Sequence, residues 1–554
     1  MAGTWLHRFV IYAAALSLLG FAGCLFHFFG NSAPDPASAA WEEHIVLFVT
    51  TLLGASLLHI GAWICSYRKP PRLELVLAVA LVARLIVMFA PESEVPIVDA
   101  ARIRIEARQV RVGLNPYEFS VSELSQNAEP PQGMDSEKGE RFILARGILT
   151  ESRGPRAVEV ARPDVRSDRA PASHWAAAAA EFYRQNPRLG RVFMALIADA
   201  LAIFFLVLAL VELKKPTGLI MLYAWSPVLL HETYAVVSPD IFVLPGIAFL
   251  IWAIAKGWRI AMAIPIAVAA SFRPILAILA IPFARRLGFR GFLLFAFLVV
   301  LPLTPFLAIP IPVENYFEGS VSRYWHGTGP SLFEGMMRLG ADSLIGAQTS
   351  NGLFLAGVQL IRAGGSLAPL LAKAAGVCVL LGMVIAAWSH QKIHTYRWAG
   401  GRRDRRYAAL LMAIAAILYI SPSLTPGMTL WLLPVLMFRP ALSWLTLPGF
   451  FGLTYLGRYT APVGSDLVLP EGPVPMAVII GGCFLALWVL DLNWRDRLFP
   501  VDAWTEEKSL WGIDAGEFAV VAPDAQRMVA AEPKEEFAPD PFYERTPSGD
   551  DESF

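Results

Sequence analysis

The chain has 554 residues, 56% of them hydrophobic and 17% charged, with a mean hydropathy of +0.51. A soluble chain of this length carries roughly 25% charge, so a soluble globular protein is excluded. The formal net charge is zero, which removes nucleic acid as an expected partner and leaves the lipid bilayer as the principal one.

Apolar runs of about 20 residues, the length that spans a ~30 Å hydrocarbon core, recur along the chain. The first begins near the N-terminus. Met1 to Cys24 combines Arg8, an apolar run and a small-residue end, as a signal peptide does, and Phe21-Ala22-Gly23-Cys24 hints at a lipoprotein cleavage site. A second apolar run follows at once, which favours an uncleaved anchor.

About twelve spans are predicted, at 9–29, 44–66, 73–90, 191–212, 217–236, 240–255, 288–310, 367–389, 407–421, 427–439, 441–457 and 474–492. Basic clusters stay in the cytoplasm. They are Arg68-Lys69-Pro70-Pro71-Arg72, Lys214-Lys215, Lys256 to Arg259, Arg285-Arg286 and Arg402 to Arg406. With both termini cytoplasmic, span parity is satisfied except over 259–283, where both flanks are basic. A re-entrant hairpin resolves this: two short helices broken at Ser271-Phe272-Arg273-Pro274, with Arg273 at the tip inside the membrane.

The predicted fold class is therefore an all-α integral membrane protein of a cell (plasma or inner) membrane. About 12 transmembrane helices are joined by a re-entrant helical hairpin. Two extracytoplasmic loops, about 91–190 and 311–366, carry short helices, and Gln126 to Glu140 reads as mobile loop. Three regions are expected: an N-terminal two-helix anchor over 1–72, a transmembrane core over 73–494, and a tail over 495–554. After Arg497 that tail holds 14 Asp and Glu against 4 Lys and Arg, the composition of a disordered cytoplasmic segment. Cys24, Cys65, Cys378 and Cys483 are scattered through apolar segments, so neither a disulfide framework nor a metal knuckle is expected.

Chemistry is concentrated after the third span. If Pro96 to Glu106 is helical, Asp99, Arg102 and Glu106 fall on one face just outside the membrane, and the helix closes toward Gly113-Leu114-Asn115-Pro116-Tyr117. On spacing alone this reads as a solvated interfacial helix with an Arg-Glu pair. Asp199 lies within an apolar run, where a carboxylate costs ~2.5–3.5 kcal/mol on insertion scales and turns to the bundle interior. Its favoured role is structural, with a place in the site as the alternative. Tyr324-Trp325-His326 reads as an interfacial aromatic belt before a sugar-stacking platform, and the role of His231 stays open.

The stretch from Asp99 to Tyr117 resembles the first outer loop of the membrane-embedded C-type glycosyltransferases, in particular the bacterial polyprenyl-phosphate-mannose-dependent mannosyltransferases. Asp99, Arg102, Glu106 and Gly113-x-Asn115-Pro116-Tyr117 match that family's motif without gaps, with Val98 in place of the first Asp of a pair and Ile105 in place of a Trp. Asp199 matches a family Asp. Ser226-Pro227 through Glu232 to Asp240 keeps the spacing of a second motif, with Ser226 for its Asn and Ser238 for its His. Arg273-Pro274 stands at a Lys-Pro. Ser421-Pro422, Pro426, Trp431 and Pro434 follow a late motif in which Thr425, Gly427 and Met428 stand where His, Trp and Tyr are usual. The resemblance covers roughly residues 73–460.

The resemblance implies transfer of a sugar, mannose first, from a polyprenyl-phosphate carrier to an extracytoplasmic glycan or glycolipid acceptor. It also implies Asp99 as general base, Arg102 and Arg273 as donor-phosphate partners, and Glu106, Asn115, Tyr117, Glu232 and Asp240 as substrate contacts. No cofactor and no metal is called for. The rival readings are a lipid-linked sugar transporter or flippase, and a noncatalytic relative that keeps the scaffold.

Overall fold

The computed structural model describes residues 2–28, 39–67, 69–90, 98–127, 129–153, 166–167, 169–181, 187–307, 402–420, 426–452 and 455, with a few isolated positions besides. The predicted spans 367–389 and 474–492, the second outer loop with Tyr324-Trp325-His326, and the acidic tail lie outside the described residues. Every regular element among those described is helical.

Among the described residues, five helices are long and apolar enough to cross a membrane: Trp5–Phe28, Glu43–Ser66, Arg188–Glu212, Pro239–Lys256 and Pro274–Phe306. The first two belong to α1 (Ala2–Phe28) and α2 (Ala39–Ser66), which pack on each other, and α1 also packs on α3 (Leu73–Met88). At 16 residues α3 is shorter than the run 73–90 suggested.

Outside this first group come α4 (Val98–Arg111), α5 (Val121–Gln126), α6 (Ser136–Arg153) and α7 (Pro171–Ala180). They form a small cap. Ser120 starts α5 with a capping box, accepting from the Glu123 amide while the Glu123 carboxylate accepts from its own. Ile105, Leu114, Phe119, Leu124, Phe142 and Leu149 bury their side chains together beneath it. The expectation of mobile loop from Gln126 to Glu140 is corrected over Ser136 to Glu140. Helix α6 begins at Ser136, because Phe142, Ala145 and Leu149 recur at helical spacing and Met134 packs on the same core. Arg141 ties α6 to Glu118 at 3.0 Å, and that bond raises its pKa above the ordinary guanidinium value.

After α8 (Pro187–Glu212) the predicted span 217–236 is not one helix. It is a run of short pieces: a 3-10 turn over Thr217–Ile220, α9 (Met221–Ala224), α10 (Pro227–Leu230) and a π-helical turn over His231–Ala235. Pro227 cannot donate to the preceding turn, and the Ser226 hydroxyl accepts from the Leu229 amide, so a new helix starts there. Helix α11 (Leu244–Lys256) ends on Gly257 at φ 76°, where the Trp258 amide reaches back to the Ala253 carbonyl.

The segment 259–283 reverses direction. Helix α12 (Ala263–Phe272) stops at Arg273, whose backbone is extended (φ −140°, ψ 97°). Pro274 then opens a 3-10 turn that leads into α13 (Ala280–Val300). Gly291 packs against Ile260, and Arg286 lies within electrostatic reach of Arg259, so both basic flanks share one end. Gly288 (φ 59°, ψ −174°) breaks α13, and the chain turns back toward α14 (Thr304–Leu307). There the Pro302 carbonyl accepts from the Trp175 indole at 3.0 Å, while the Phe272 carbonyl accepts from Ser173 at 3.3 Å. Phe272 and Pro302 thus share the opposite end, beside α7. Pro274–Phe306 has a span's length, yet the reversal at Gly288 divides it into two legs.

The other basic clusters gather at the Arg259 end. Lys256 pairs with Glu212 at 2.6 Å, Arg406 in α15 (Arg402–Ile420) donates to the Ile254 carbonyl at 3.0 Å, and Gly218 packs on the Pro71 backbone. The bundle is completed by α16 (Pro426–Thr429), α17 (Leu433–Leu436) and α18 (Leu442–Phe451).

Candidate functional site

The cap end of the bundle collects most of the chemically capable side chains. On α4, Arg102 Nε donates to Glu106 Oε1 at 2.9 Å, the i, i+4 pair that the spacing predicts. Both side chains are buried, and the other Glu106 oxygen is shared: Arg169 Nε is 3.4 Å away and His174 Nδ1 3.9 Å. His174 Nε2 bonds the Ser167 hydroxyl at 2.9 Å. A buried carboxylate is stabilised by paired guanidinium groups, so Glu106 joins α4 to Arg169 and, through His174, to α7. Asp99 lies in the first turn of α4, one turn before Arg102. Its side chain lies outside the described residues.

Asn115 and Tyr117 are turned inward. Asn115 Oδ1 accepts from the Tyr117 amide at 2.9 Å, and its side-chain nitrogen donates to the Phe306 carbonyl at 3.3 Å. The Tyr117 hydroxyl donates to the Arg169 carbonyl at 2.6 Å while its ring meets His174 and Phe306 edge-on. These residues of the Asn-Pro-Tyr motif therefore hold the cap onto α14 and onto the Arg169–His174 segment.

A second group lies deeper. Arg273, freed from the helix by its extended backbone, donates Nε to Asp240 Oδ1 at 2.7 Å, and the Ser238 hydroxyl donates to Asp240 Oδ2 at 3.2 Å. The Glu232 carboxylate accepts a short hydrogen bond from the Tyr455 hydroxyl, and His231 Nδ1 lies 3.0 Å from that same hydroxyl. Phe48 of α2 packs on both His231 and Tyr455, which fastens the N-terminal helices to this group.

The two groups meet at a cavity of ≈ 30 Å³, enough for about two waters, lined in part by Glu106, Arg169, His174, Arg191, Pro239 and Phe242. Pro239 adjoins Asp240, and Phe242 stacks on Phe272, the neighbour of Arg273. Glu106 thus lines this space directly, while Arg102, Asp240 and Arg273 stand behind its lining as bonded partners or neighbours of lining residues. Glu232 does not line that space and lies next to Gly427. Among the described residues no group of His, Cys, Asp and Glu has the arrangement of a metal site.

Gly427 closes the deeper group. A Cβ placed on it would lie 2.7 Å from Ser238 Oγ, 2.9 Å from Glu232 Oε2 and 3.0 Å from Asp240 Oδ2. Gly427→Ala is therefore expected to lower stability by roughly 1–3 kcal/mol through overpacking. Gly54→Ala, where nothing lies within 4 Å, is expected to be neutral or stabilising. Thermal unfolding of the two variants in detergent checks this; equal midpoints would show that the three oxygens do not crowd Gly427.

One ionic group went unnoticed in the sequence. Arg84, midway along α3, donates Nε to Asp199 Oδ2 at 2.6 Å, and Tyr234 donates its hydroxyl to the same oxygen at 2.7 Å. The Arg84 guanidinium also donates to the carbonyls of Ala224 (2.8 Å) and Ala80 (3.1 Å) and lies 5.8 Å from the Tyr234 ring centroid. Asp199 thus has the interhelical partner its favoured role requires. The available signal was an arginine inside the apolar run 73–90, opposite in sign to the lone Asp of another run. Arg169 and His174 carried no such signal, since Arg169 sits in a stretch of mixed charge and His174 in an alanine-rich helix.

No protein-family model, no curated protein and no solved structure matches this chain.

Proposed function

We propose that this membrane protein transfers a sugar, mannose first, from a polyprenyl-phosphate carrier to a glycan or glycolipid acceptor outside the cytoplasm. The observation that carries the reading is that Glu106, paired with Arg102, shares one cavity with Pro239 and Phe242, the chain neighbours of the Asp240 that pairs with Arg273. The motifs that resemble the C-type glycosyltransferases are far apart in the chain, and chance likeness gives them no reason to meet.

In this reading the acceptor oxygen attacks the anomeric carbon, the bond from that carbon to the phosphate oxygen breaks, and Asp99 takes the hydroxyl proton. Polyprenyl phosphate leaves with the bonding electrons, and cationic groups stabilise the charge it gains. Arg273 and Arg102 are the candidates, each already oriented by a carboxylate. One displacement inverts the anomeric centre. The basic end of the bundle faces the cytoplasm, the cap faces outward, and 260–287 forms a re-entrant hairpin with Arg273 at its tip.

The rival is movement of a lipid-linked sugar across the bilayer, favoured by the charged Arg84–Asp199 pair in the interior. Purified protein in vesicles, with the cap outward, should release polyprenyl phosphate from polyprenyl-phosphate mannose when a water-soluble acceptor is supplied outside. Transfer of the lipid between leaflets without release would establish the transporter instead. Neither release nor transfer would leave a noncatalytic scaffold.

A further inference from the structure

We infer that the buried Arg84–Asp199–Tyr234 cluster is a positioning device for the Glu232–Asp240 group, acting through the π-helical turn that Tyr234 shares with Glu232. The inference rests on the glycosyl-transfer reading for its effect on turnover, and on geometry alone for its effect on the turn.

The turn is an unfavourable piece of backbone. His231–Ala235 is wound as a π-helix, with the Val236 amide donating to the His231 carbonyl at 3.0 Å. Such turns insert an extra residue into a helical register, are rare, and cluster where function requires them. Val237 follows at φ 53°, a left-handed conformation that a β-branched residue seldom adopts. Two adjacent departures from the preferred backbone persist only when their surroundings over-determine them.

Two sets of contacts do so. On one side the Ser238 amide donates to the Glu232 carbonyl at 2.8 Å, closing the loop that delivers Ser238 and Asp240. On the other side Tyr234 reaches into the bundle and donates to Asp199 Oδ2, which is itself held by Arg84. Arg84 extends the hold to the Ala224 carbonyl, ahead of the Trp225–Ser226 break, so one guanidinium links Ala224 to the turn that carries Tyr234. Tyr234 and Glu232 leave the turn on different sides, one toward Asp199 and the other toward Tyr455. Relaxation to an α-helix would change the register by one residue, about 100° of rotation. It would carry the Glu232 carboxylate away from Gly427 and Tyr455. The Tyr234 hydroxyl prevents this by fixing the register at Asp199.

Tyr234→Phe is the informative variant. It removes one hydroxyl, keeps the ring under Arg84 and leaves the ion pair intact, so the protein remains foldable. Hydrogen exchange on the reconstituted full chain should be at least about tenfold faster in peptides covering 227–243, with α8 and α11 unchanged, as a local opening requires. In the polyprenyl-phosphate release assay kcat should fall by about 10–100-fold, the scale of a small misplacement of reacting groups, with KM changed less than about threefold. A purely structural tyrosine would move thermal stability and yield without splitting kcat from KM. Unchanged exchange over 227–243 overturns the inference, as does parent-level kcat in an active preparation. If the parent chain itself releases no polyprenyl phosphate, the glycosyl-transfer reading fails. The exchange result then still decides whether Tyr234 holds the turn.

Discussion

Asp99→Asn is expected to lower turnover by about 10²–10⁴-fold, the usual contribution of a general base, with donor binding and protein yield near those of the parent chain. The residue opens α4, one turn before Arg102, whose guanidinium is committed to Glu106. Glu106 in turn is shared by Arg102, Arg169 and His174. Asp99 is the base in the proposed mechanism. Asparagine keeps the size and hydrogen-bonding reach but lacks the basic oxygen pair, and an Asp at a helix start contributes only ~1 kcal/mol as a cap. Steady-state release of polyprenyl phosphate by the purified variant measures the effect. Full turnover would remove Asp99 from the mechanism, and lost protein with normal specific activity would make it structural.

The second large effect is on stability. Arg84→Ala is expected to destabilise the bundle by about 3–5 kcal/mol, because one member of a buried pair is left as an uncompensated charge. The pair is enclosed on every side: Asp199 has no exposed surface and Arg84 is 5% exposed. Interhelical hydrogen bonds in a membrane average only about 0.6 kcal/mol, so the orphaned charge dominates the loss. Replacing both residues, as Arg84→Met with Asp199→Leu, is expected to recover most of it, since an apolar pair of similar volume is often neutral or better. Reversible unfolding in mixed micelles compares the three chains. A double variant as unstable as Arg84→Ala would show that shape, and not the orphaned charge, sets the cost.

Some of the molecule was legible in local pattern. Twenty-residue apolar runs announce α1, α2 and α8, because the bilayer sets the length of what crosses it. Basic flanks on both sides of 259–283 call for a break in the helix, and Arg273-Pro274 is where proline permits one; α12 ends there and a 3-10 turn begins. The i, i+4 spacing of Arg102 and Glu106 predicts their pair without knowledge of the rest of the fold. In each case the cause lies within one helical turn or one apolar run, and the sequence alone determines the outcome.

The rest was decided through space. The run 217–236 is apolar enough for a span, yet it breaks into short pieces because Ser226 caps, Pro227 interrupts and Tyr234 is drawn to an aspartate on α8. Hydropathy does not register any of those forces. Arg84 and Asp199 are 115 positions apart and Arg273 and Asp240 33 apart. Each charge is costly alone and tolerable only with its partner. Gly427 has meaning only because Ser238, Glu232 and Asp240 crowd the place its side chain would occupy. Periodicity and composition determined the long apolar helices and the break at Arg273-Pro274. Which charges meet was left to the tertiary structure, because burying an ion is favourable only where packing brings the opposite charge within a few ångströms.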